Sequence, residues 1–329
     1  MRPFNYFRAA DPAGAIAAAS ANPASRFLAG GTNLLDLMKE DVERPTELID
    51  VTRLDLVAIR ETRAGGVSIG ALAKNADTAN HPLIRTRYPL LTKAIVAGAS
   101  AQLRNMATNG GNLMQRTRCQ YFYDLAMPCN KREPGTGCGA REGLNRMHAI
   151  LGWSEKCVAV YPGDMANALY ALGAVVRIRG ANGRERAIPV GEFHRLPGDA
   201  PEKDNNLEHG ELITAIELPR SPFAKNCWYL KVRDRASYAF ALVAVAAALD
   251  LDGGRIRQAR VVLGGVAHKP WRSAEAESAL AGKAPTEDAF RRAADAALDA
   301  AKPLAQNAFK VELGKRAIVR ALMRASHQA

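Results

Sequence analysis

Four of the five cysteines in this chain lie in one irregular stretch, and thiols grouped in this way can bind a metal. The four are Cys119, Cys129, Cys138 and Cys157, with the spacings C-x9-C, C-x8-C and C-x18-C. Zinc ribbons usually separate paired cysteines by about two to four residues. A [4Fe–4S] cluster accepts wider spacing because each thiolate binds a different iron. The spacing therefore favours a cluster, with zinc, two disulfides or unligated thiols as alternatives.

Residues 116–158 have the character of a long insertion. Hydrophobic periodicity fails there, while Pro, Gly, Arg and Cys accumulate. Compact domains rarely keep such a loop without a function or a covalent or metal link. Five basic residues would offset the negative charge of four thiolates: Arg116, Arg118, Lys131, Arg132 and Lys156. Cys227 lies outside the insertion, and we expect it to be a small buried residue.

Two glycine pairs indicate a second kind of site. Gly30-Gly31 joins an apolar strand end to a helix, and Gly110-Gly111 is flanked by Thr108, Asn109 and Asn112. Glycine lets the backbone approach a bulky anion, at which the N–H groups of the turn then point. Each turn alone could be an ordinary joint between a strand and a helix. Together they indicate two walls of one pocket for an anion and a polyol.

Charge and composition narrow the classes of partner. Lys and Arg number 45 against 33 Asp and Glu, which gives a formal net charge of +12. A basic chain suits nucleic acid, an anionic cofactor or an acidic subunit. No nucleic-acid motif accompanies the charge and only 6% of residues are aromatic, so we expect no nucleic-acid partner. We also expect no membrane insertion and no signal peptide, because the most apolar run, Phe240–Leu249, is too short to span a bilayer and the N-terminus lacks a signal pattern.

Alternating short strand and helix patterns predict an α+β or α/β chain. Asp11-Pro12 is a helix start, and Asp252-Gly253-Gly254 joins Ser237–Asp250 to Arg255–Gly264 in a hairpin. Other strands are predicted at Glu47–Val51, Leu56–Glu61, Gly66–Leu72, Ala174–Ile178 and Leu212–Leu218. Helices are predicted at Leu90–Gly98, Ala274–Leu280, Thr286–Ala300 and Ala308–Arg324. A boundary near residue 221 divides the chain into residues 1–221 and 222–329.

Several segments, in order along the chain, resemble one known family. They are FLAGGTNLLDLMK at 27–39, IGA at 69–71, ATNGGNL at 107–113, PGDMANAL at 162–169 and YLKVRDRASYAFAL at 229–242. The family is that of the FAD-binding medium subunits of molybdenum hydroxylases, which include xanthine dehydrogenase, carbon monoxide dehydrogenase and aldehyde oxidoreductase. The residues QLRN at 102–105 and RTRC at 116–119 are similar to those of bacterial periplasmic aldehyde oxidoreductases, whose FAD subunits carry a [4Fe–4S] cluster in such an insertion.

The resemblance implies a fold and a role. The fold is α+β, with the two-subdomain FAD-binding architecture of the vanillyl-alcohol oxidase and carbon monoxide dehydrogenase flavoprotein type. A C-terminal domain with a small antiparallel sheet would follow. The role is that of an electron-transfer subunit holding FAD and a [4Fe–4S] cluster, in a heterotrimer with a large molybdopterin-binding subunit and a small [2Fe–2S] subunit. Electrons from an aldehyde would reach this chain from its partners, so no catalytic residue for the organic substrate is expected here.

The resemblance also assigns contacts with FAD. The backbone of the first glycine turn would hold the pyrophosphate, the second turn would form the opposite wall, Asp164 would bond the polyol, and Ile213 and Lys231 would lie against the flavin. A cation beside a flavin favours its reduced anionic form. The complete set is Arg26, Phe27, Leu28, Ala29, Gly30, Gly31, Thr32, Asn33, Leu34, Thr108, Gly110, Gly111, Asn112, Asp164, Ile213 and Lys231. Gly163 replaces a common serine of the family, and no nicotinamide site is implied.

Simpler interpretations exist for single residues. Asp164 could cap the helix that follows it. Lys231 could lie on a solvated strand face, and Tyr238 and Phe240 are expected in the core. The six histidines have no metal-ligand spacing, and we assign none of them a role.

Alternative functions remain open at this point. The chain could be the flavin subunit of a 4-hydroxybenzoyl-CoA reductase-type or xanthine dehydrogenase-type complex. From another class, it could be a basic binding module with a structural zinc loop. The resemblance further implies a periplasmic location, reached by export together with a partner subunit that carries the signal, with the cytoplasm as the alternative.

Overall fold

The N-terminal segment forms a parallel three-stranded sheet with the strand order β1-β3-β2. The computed structural model describes residues 1–326. The elements of this segment are β1 (Asn5–Arg8), α1 (Pro12–Ala21), β2 (Ser25–Leu28), α2 (Leu34–Lys39) and β3 (Glu47–Asp50). Helix α1 begins where the sequence predicts, because the side chain of Asp11 accepts a hydrogen bond from Gly14 N at 2.7 Å and Pro12 occupies the first helical position.

The middle of the chain forms a five-stranded antiparallel sheet with the order β4-β5-β8-β6-β7. Its strands are β4 (Ile59–Glu61), β5 (Val67–Gly70), β6 (Val175–Arg179), β7 (Glu185–Pro189) and β8 (Leu212–Leu218). Its helices are α3 (Asn75–Asn80), α4 (Pro82–Arg87), α5 (Pro89–Ala97), α6 (Ala101–Met106), α7 (Asn109–Leu113), α8 (Gln120–Tyr123), α9 (Met165–Ala171) and α10 (Val190–Phe193), with a 3-10 turn at Ala181–Gly183. Helix α7 directly follows Thr108, whose side chain caps it by accepting a hydrogen bond from Gly111 N.

The C-terminal segment packs helices on a four-stranded antiparallel sheet with the order β12-β11-β10-β9. Its elements are β9 (Asn226–Val232), β10 (Val243–Asp252), β11 (Arg255–Gly264), β12 (Trp271–Arg272), α11 (Ala274–Leu280), α12 (Glu287–Leu298) and α13 (Phe309–Ser326). No helix within residues 1–326 is long and apolar enough to cross a membrane.

Two hydrophobic cores meet on β10. Successive side chains of a strand point to opposite faces. Ala244 and Ala246 therefore belong to the core formed with α5 and α9, whereas Val243 and Val245 belong to the core beneath α11–α13. All four are at most 1% exposed. The middle and C-terminal segments thus share this strand.

The predicted fold class is confirmed: the chain is α+β, with two N-terminal sheets and a small antiparallel C-terminal sheet. Strand β8 and helix α11 have the predicted bounds, and Cys227 is fully buried, as expected.

The prediction for the segment before β10 is wrong. The strand predicted from Ser237 begins only at Val243, because Tyr238 has a φ of 49°, which a strand does not allow. Tyr238 is 58% exposed and Phe240 is 43% exposed, so neither is a core residue. The segment is instead a surface loop, held where the guanidinium of Arg118 lies 5.3 Å from the ring centroid of Phe240.

Candidate functional site

The first candidate site is a cavity of about 550 Å³, formed by the end of β2, the turn before α2, the start of α7 and residues 205–213. We call it the glycine cavity. Most residues that the resemblance assigns to FAD line it. They are Arg26, Phe27, Ala29, Gly30, Gly31, Thr32, Asn33, Leu34, Thr108, Gly110, Gly111 and Ile213. The structure therefore brings the two glycine turns together as the walls of one cavity.

Glycine is required at these turns because each turn packs closely against another part of the chain. A Cβ atom on Gly30 would lie 2.2 Å from the backbone oxygen of Met106, and one on Gly110 would lie 3.1 Å from the Cβ of Ala71. Gly31 has a φ of +72°, which strains any larger residue. No hydrogen bond within the described chain uses the backbone N–H of Gly31. This wall therefore offers a closely approachable backbone and a free donor, the features that an anionic group needs.

Two residues of the predicted set stand behind the wall instead of lining the cavity. Leu28 is a β2 residue, and its backbone oxygen accepts a hydrogen bond from Val51 N at 3.0 Å. The Asn112 side chain donates to Asn75 Oδ1 at 2.7 Å, and its backbone oxygen accepts from the Tyr161 hydroxyl at 3.1 Å. In this arrangement both residues support the turns.

Asp164 lies in a separate cavity of about 370 Å³, which we call the Asp164 cavity. Its carboxylate accepts hydrogen bonds from the Tyr229 hydroxyl and from Lys231 Nζ, both at 2.7 Å. Lys231 also donates to the backbone oxygen of Ala97 at 3.2 Å. Burial, and then the charge of Asp164, raise the pKa of Tyr229 well above its ordinary value. Lys231, which the resemblance assigns to the flavin, and Asp164, which it assigns to the polyol of the cofactor, thus form one buried ion pair.

This ion pair removes two simpler interpretations. Asp164 precedes α9, but its side chain makes no capping hydrogen bond to the helix. The Lys231 side chain is 5% exposed, so it does not lie on a solvated face. Tyr229 is a member of the network that we did not single out from the sequence. Its signal was its position two residues before Lys231, because alternate residues of a strand share a face.

The second candidate site lies in the insertion. Cys119, Cys129, Cys138 and Cys157 line one small cavity, which we call the cysteine cavity. Cys129 and Cys138 pair as an isolated β-bridge, and Cys157 pairs with Ser154 in the same way. No disulfide forms among these cysteines, all of which lie in the described part of the chain. Within residues 1–326 no three Cys, His, Asp or Glu side chains converge on a position for a single metal ion.

The thiols of the cysteine cavity differ in environment. Burial raises the pKa of Cys119 to about 12. A hydrogen bond between Cys138 and Cys157 lowers the pKa of Cys138 to about 6 and raises that of Cys157. Cys119 Sγ also lies 3.1 Å from Nε2 of His148. Burial, followed by the charge of Lys310, lowers the pKa of His148 to about 4.

A charge network joins the insertion to the glycine cavity. Asp204 accepts hydrogen bonds from Arg116 Nε at 2.7 Å and from Lys131 Nζ at 2.5 Å, and Arg116 also binds Glu43 at 2.5 Å. Lys131 lines the cysteine cavity, whereas Glu43 and Arg116 line the glycine cavity. Burial would raise the pKa of Asp204, but Lys131 and Arg116 lower it to about 2. Arg116 and Lys131, two of the predicted basic neighbours of the cysteines, are therefore paired with carboxylates.

Among the histidines only His148 contacts a cysteine in the described residues. This contact could not be predicted from the sequence, because Cys119 and His148 are 29 residues apart. His327 lies outside the described residues.

Comparisons with known proteins identify the class. Residues 2–221 match the family model of the FAD binding domain in molybdopterin dehydrogenase, and residues 228–325 match that of the CO dehydrogenase flavoprotein C-terminal domain. Among solved structures, carbon monoxide dehydrogenase from Hydrogenophaga pseudoflava, in a form that lacks the Mo-pyranopterin moiety, superposes with a TM-score of 0.78 at 26% identity. The match covers 100% of this chain and 99% of that chain. The fold and the matched domains define a FAD-binding flavoprotein.

The curated relatives then give the family. The chain is 49% identical over 329 residues to the aldehyde oxidoreductase FAD-binding subunit PaoB of Escherichia coli strain K12. The match covers 100% of both chains. It is 28% identical over 285 residues to the glyceraldehyde dehydrogenase medium chain of Sulfolobus acidocaldarius, which covers 87% of this chain and 83% of that relative. The chain belongs to the FAD-binding medium subunits of molybdenum hydroxylases and is an oxidoreductase subunit.

This family membership confirms the predicted FAD cofactor and sets aside the alternative of a basic binding module without redox chemistry. The relatives are named as medium chains or FAD-binding subunits, so they are parts of enzymes with several subunits.

Proposed function

We propose that this chain is the FAD- and [4Fe–4S]-containing electron-transfer subunit of a molybdenum-dependent aldehyde oxidoreductase. The observation that carries the proposal is its 49% identity, over the full length of both chains, to a relative named as an aldehyde oxidoreductase FAD-binding subunit. Its partners are a large molybdopterin-binding subunit and a small [2Fe–2S] subunit in a heterotrimer, from which this chain passes electrons to an external acceptor. The FAD-binding domain spans residues 1–221, and the C-terminal domain spans residues 222–329.

The residues of the glycine cavity fit FAD. Gly30, Gly31 and Gly110 leave bare backbone for a pyrophosphate to approach, since a Cβ atom on Gly30 would meet Met106 and one on Gly110 would meet Ala71. Arg26 lies at the edge of this cavity and supplies a positive charge. When bound, FAD supplies one- or two-electron redox chemistry. Lys231 supports this chemistry by placing a cation at the flavin end, and Asp164 holds that cation in place.

The residues of the cysteine cavity fit a [4Fe–4S] cluster. Four thiols line one cavity together with the buried side chain of Lys131, whose charge is paired with Asp204. A cluster binds each thiolate through a different iron, so it accepts four cysteines with the wide sequence spacing found here.

The experiment that tests the proposal is anaerobic purification of the chain with its partner subunits, followed by an absorption spectrum and flavin, iron and zinc analyses. Flavin together with about four irons per chain beyond those of the [2Fe–2S] subunit is expected. The variant Cys138→Ser should lose this iron and keep its flavin. The control Cys227→Ser, which changes a buried cysteine in the other half of the chain, should keep both.

The outcomes separate the parts of the proposal. Flavin without the additional iron contradicts the cluster and leaves the FAD subunit intact, and zinc in its place supports a structural zinc loop. Activity of the complex on aromatic thioesters or xanthine, with none on aldehydes, contradicts the aldehyde assignment in favour of a 4-hydroxybenzoyl-CoA reductase-type or xanthine dehydrogenase-type complex.

We also propose a periplasmic location through export with a partner subunit. Fractionation of cells that express the complex, and of cells without that partner, tests it, and recovery in the cytoplasm from both contradicts it.

A further inference from the structure

His148 lines the Asp164 cavity and lies against Cys119, one of the four thiols of the cysteine cavity. Its Nε2 atom lies 3.1 Å from Cys119 Sγ, and the residue is 5% exposed. The C-terminal segment fixes its backbone, because Lys310 Nζ donates to the His148 oxygen at 2.9 Å and Asn307 Nδ2 donates to it at 3.2 Å. Two residues from a distant part of the chain therefore hold the backbone from which the imidazole reaches Cys119.

The direction of the hydrogen bond follows from the chemistry of the thiolate. A cysteine that binds iron has lost its proton and can only accept a hydrogen bond. The Nε2 atom that faces Cys119 must then carry a hydrogen, so His148 is the donor. Its other ring nitrogen, Nδ1, is buried and has no partner within the described chain. A buried polar atom without a partner is unfavourable, so hydrogen bonding of the ring alone does not favour this orientation.

The place of this contact is also distinctive. Of the four cysteines, Cys119 alone lines both the cysteine cavity and the Asp164 cavity in the described structure. His148 lines the Asp164 cavity beside it. The hydrogen bond therefore acts on the thiol that borders the cavity containing Asp164, the residue that the resemblance assigns to the polyol of the cofactor.

We propose that His148 donates a hydrogen bond from Nε2 to the Cys119 thiolate and thereby raises the reduction potential of the cluster in the cysteine cavity. The inference rests on the cluster assignment of the proposed function. Addition of one electron increases the negative charge on the ligating sulfurs. A donor aimed at one of them stabilises the reduced state more than the oxidised state. His148 is thus a positioning residue for electron transfer and does not bind iron.

The test is a potentiometric titration of the intact complex, followed by electron paramagnetic resonance of the reduced cluster. His148→Leu removes the donor and should shift the midpoint of the cluster to a more negative potential. His148→Gln, which can still donate a hydrogen bond, should shift it less. The midpoint of the flavin and the iron content should stay at wild-type values in both variants. His81→Leu, which changes a partly exposed histidine at the start of α4, should shift neither midpoint.

An unchanged cluster midpoint in an iron-loaded His148→Leu protein overturns the inference and leaves the proposed function standing. Absence of the additional iron from the wild type overturns the cluster assignment and the inference with it. If His148→Leu fails to assemble, the wild type labelled with nitrogen-15 histidine decides the question. Hyperfine coupling of one imidazole nitrogen to the reduced cluster is expected, and a spectrum without it overturns the hydrogen bond.

Discussion

The glycine cavity and the cysteine cavity are built in opposite ways. The first is made largely of bare backbone, because Gly30 and Gly110 allow two turns to pack closely against their neighbours. The backbone N–H of Gly31 makes no hydrogen bond within the described chain. The second is made of side chains, four thiols from an irregular insertion with His148 and Lys131 around them. The difference shows that a backbone site depends on the absence of side-chain atoms at a few positions, whereas a side-chain site depends on distant segments that hold its ligands.

The largest expected effect on cofactor content distinguishes the two cavities, because one cofactor should be lost while the other is kept. Gly30→Ala places a Cβ atom 2.2 Å from the backbone oxygen of Met106, so one wall of the glycine cavity must move. We expect FAD binding to weaken at least about tenfold, equivalent to about 1.4 kcal/mol, while the iron content stays unchanged. Flavin and iron analyses of the purified complex measure both. The control Gly14→Ala, whose Cβ would have 3.5 Å to its nearest neighbour, should keep its flavin. Full flavin in Gly30→Ala would show that the wall is not rigid.

The next prediction concerns Asp204, whose ion pairs connect the glycine cavity with the cysteine cavity. Asp204→Asn removes the charge that neutralises Lys131 and Arg116 and leaves Lys131 as a buried, unbalanced cation. We expect a loss of about 3 kcal/mol in the free energy of unfolding, with lower flavin and iron content together. Denaturant unfolding and cofactor analysis test this. The control Asp234→Asn breaks an exposed pair with Arg146 and should cost about 0–1 kcal/mol. Loss of only one cofactor in Asp204→Asn would mean that the cavities are independent.

A smaller effect concerns the support of the insertion by α13. Lys310 is fully buried and donates to three backbone oxygens, those of Met147, His148 and Gly265. Burial, and then the charge of Arg146, lower its pKa from 10.5 to about 7. Between these values the unfolded chain binds more protons than the folded chain, so the free energy of unfolding rises with pH.

Lys310→Met removes this dependence. Between about pH 7.5 and about pH 9.5 we expect the wild type to gain about 2 kcal/mol relative to the variant. Urea unfolding of both proteins at several pH values measures the difference. Lys315→Met, on the same helix, removes a lysine whose side chain is 34% exposed and serves as the control, with the wild-type slope expected. Equal slopes for Lys310→Met and the wild type would contradict a lowered pKa.

The sequence was informative wherever a feature is local. Asp11-Pro12 is a local pattern that predicts the start of helix α1. The two turns contain the glycines that they require, so the cavity they form could be predicted from short segments. Strand β8 has a continuous β pattern and lies where predicted. The four cysteines could be grouped because they share one irregular stretch.

Features that depend on long-range contacts could not be predicted. The loop before β10 follows an apolar pattern, yet Phe240 lies on the surface beside Arg118, a residue of the insertion. The contact between His148 and Cys119 depends on Lys310, 162 residues further along the chain. Asp204 joins the two cavities from a loop without a motif. In each case tertiary packing, and not local preference, fixes the position of the side chain.

The double burial of β10 has a consequence for how the protein unfolds. Ala244 and Ala246 complete the core of the middle segment, whereas Val243 and Val245 complete that of the C-terminal segment. Separating the C-terminal sheet from the rest of the chain would expose apolar surface on both of its faces. Unfolding of either segment alone is therefore unfavourable in free energy. The chain should therefore lose its structure in one cooperative transition, and each segment expressed separately would carry an open apolar face that favours aggregation.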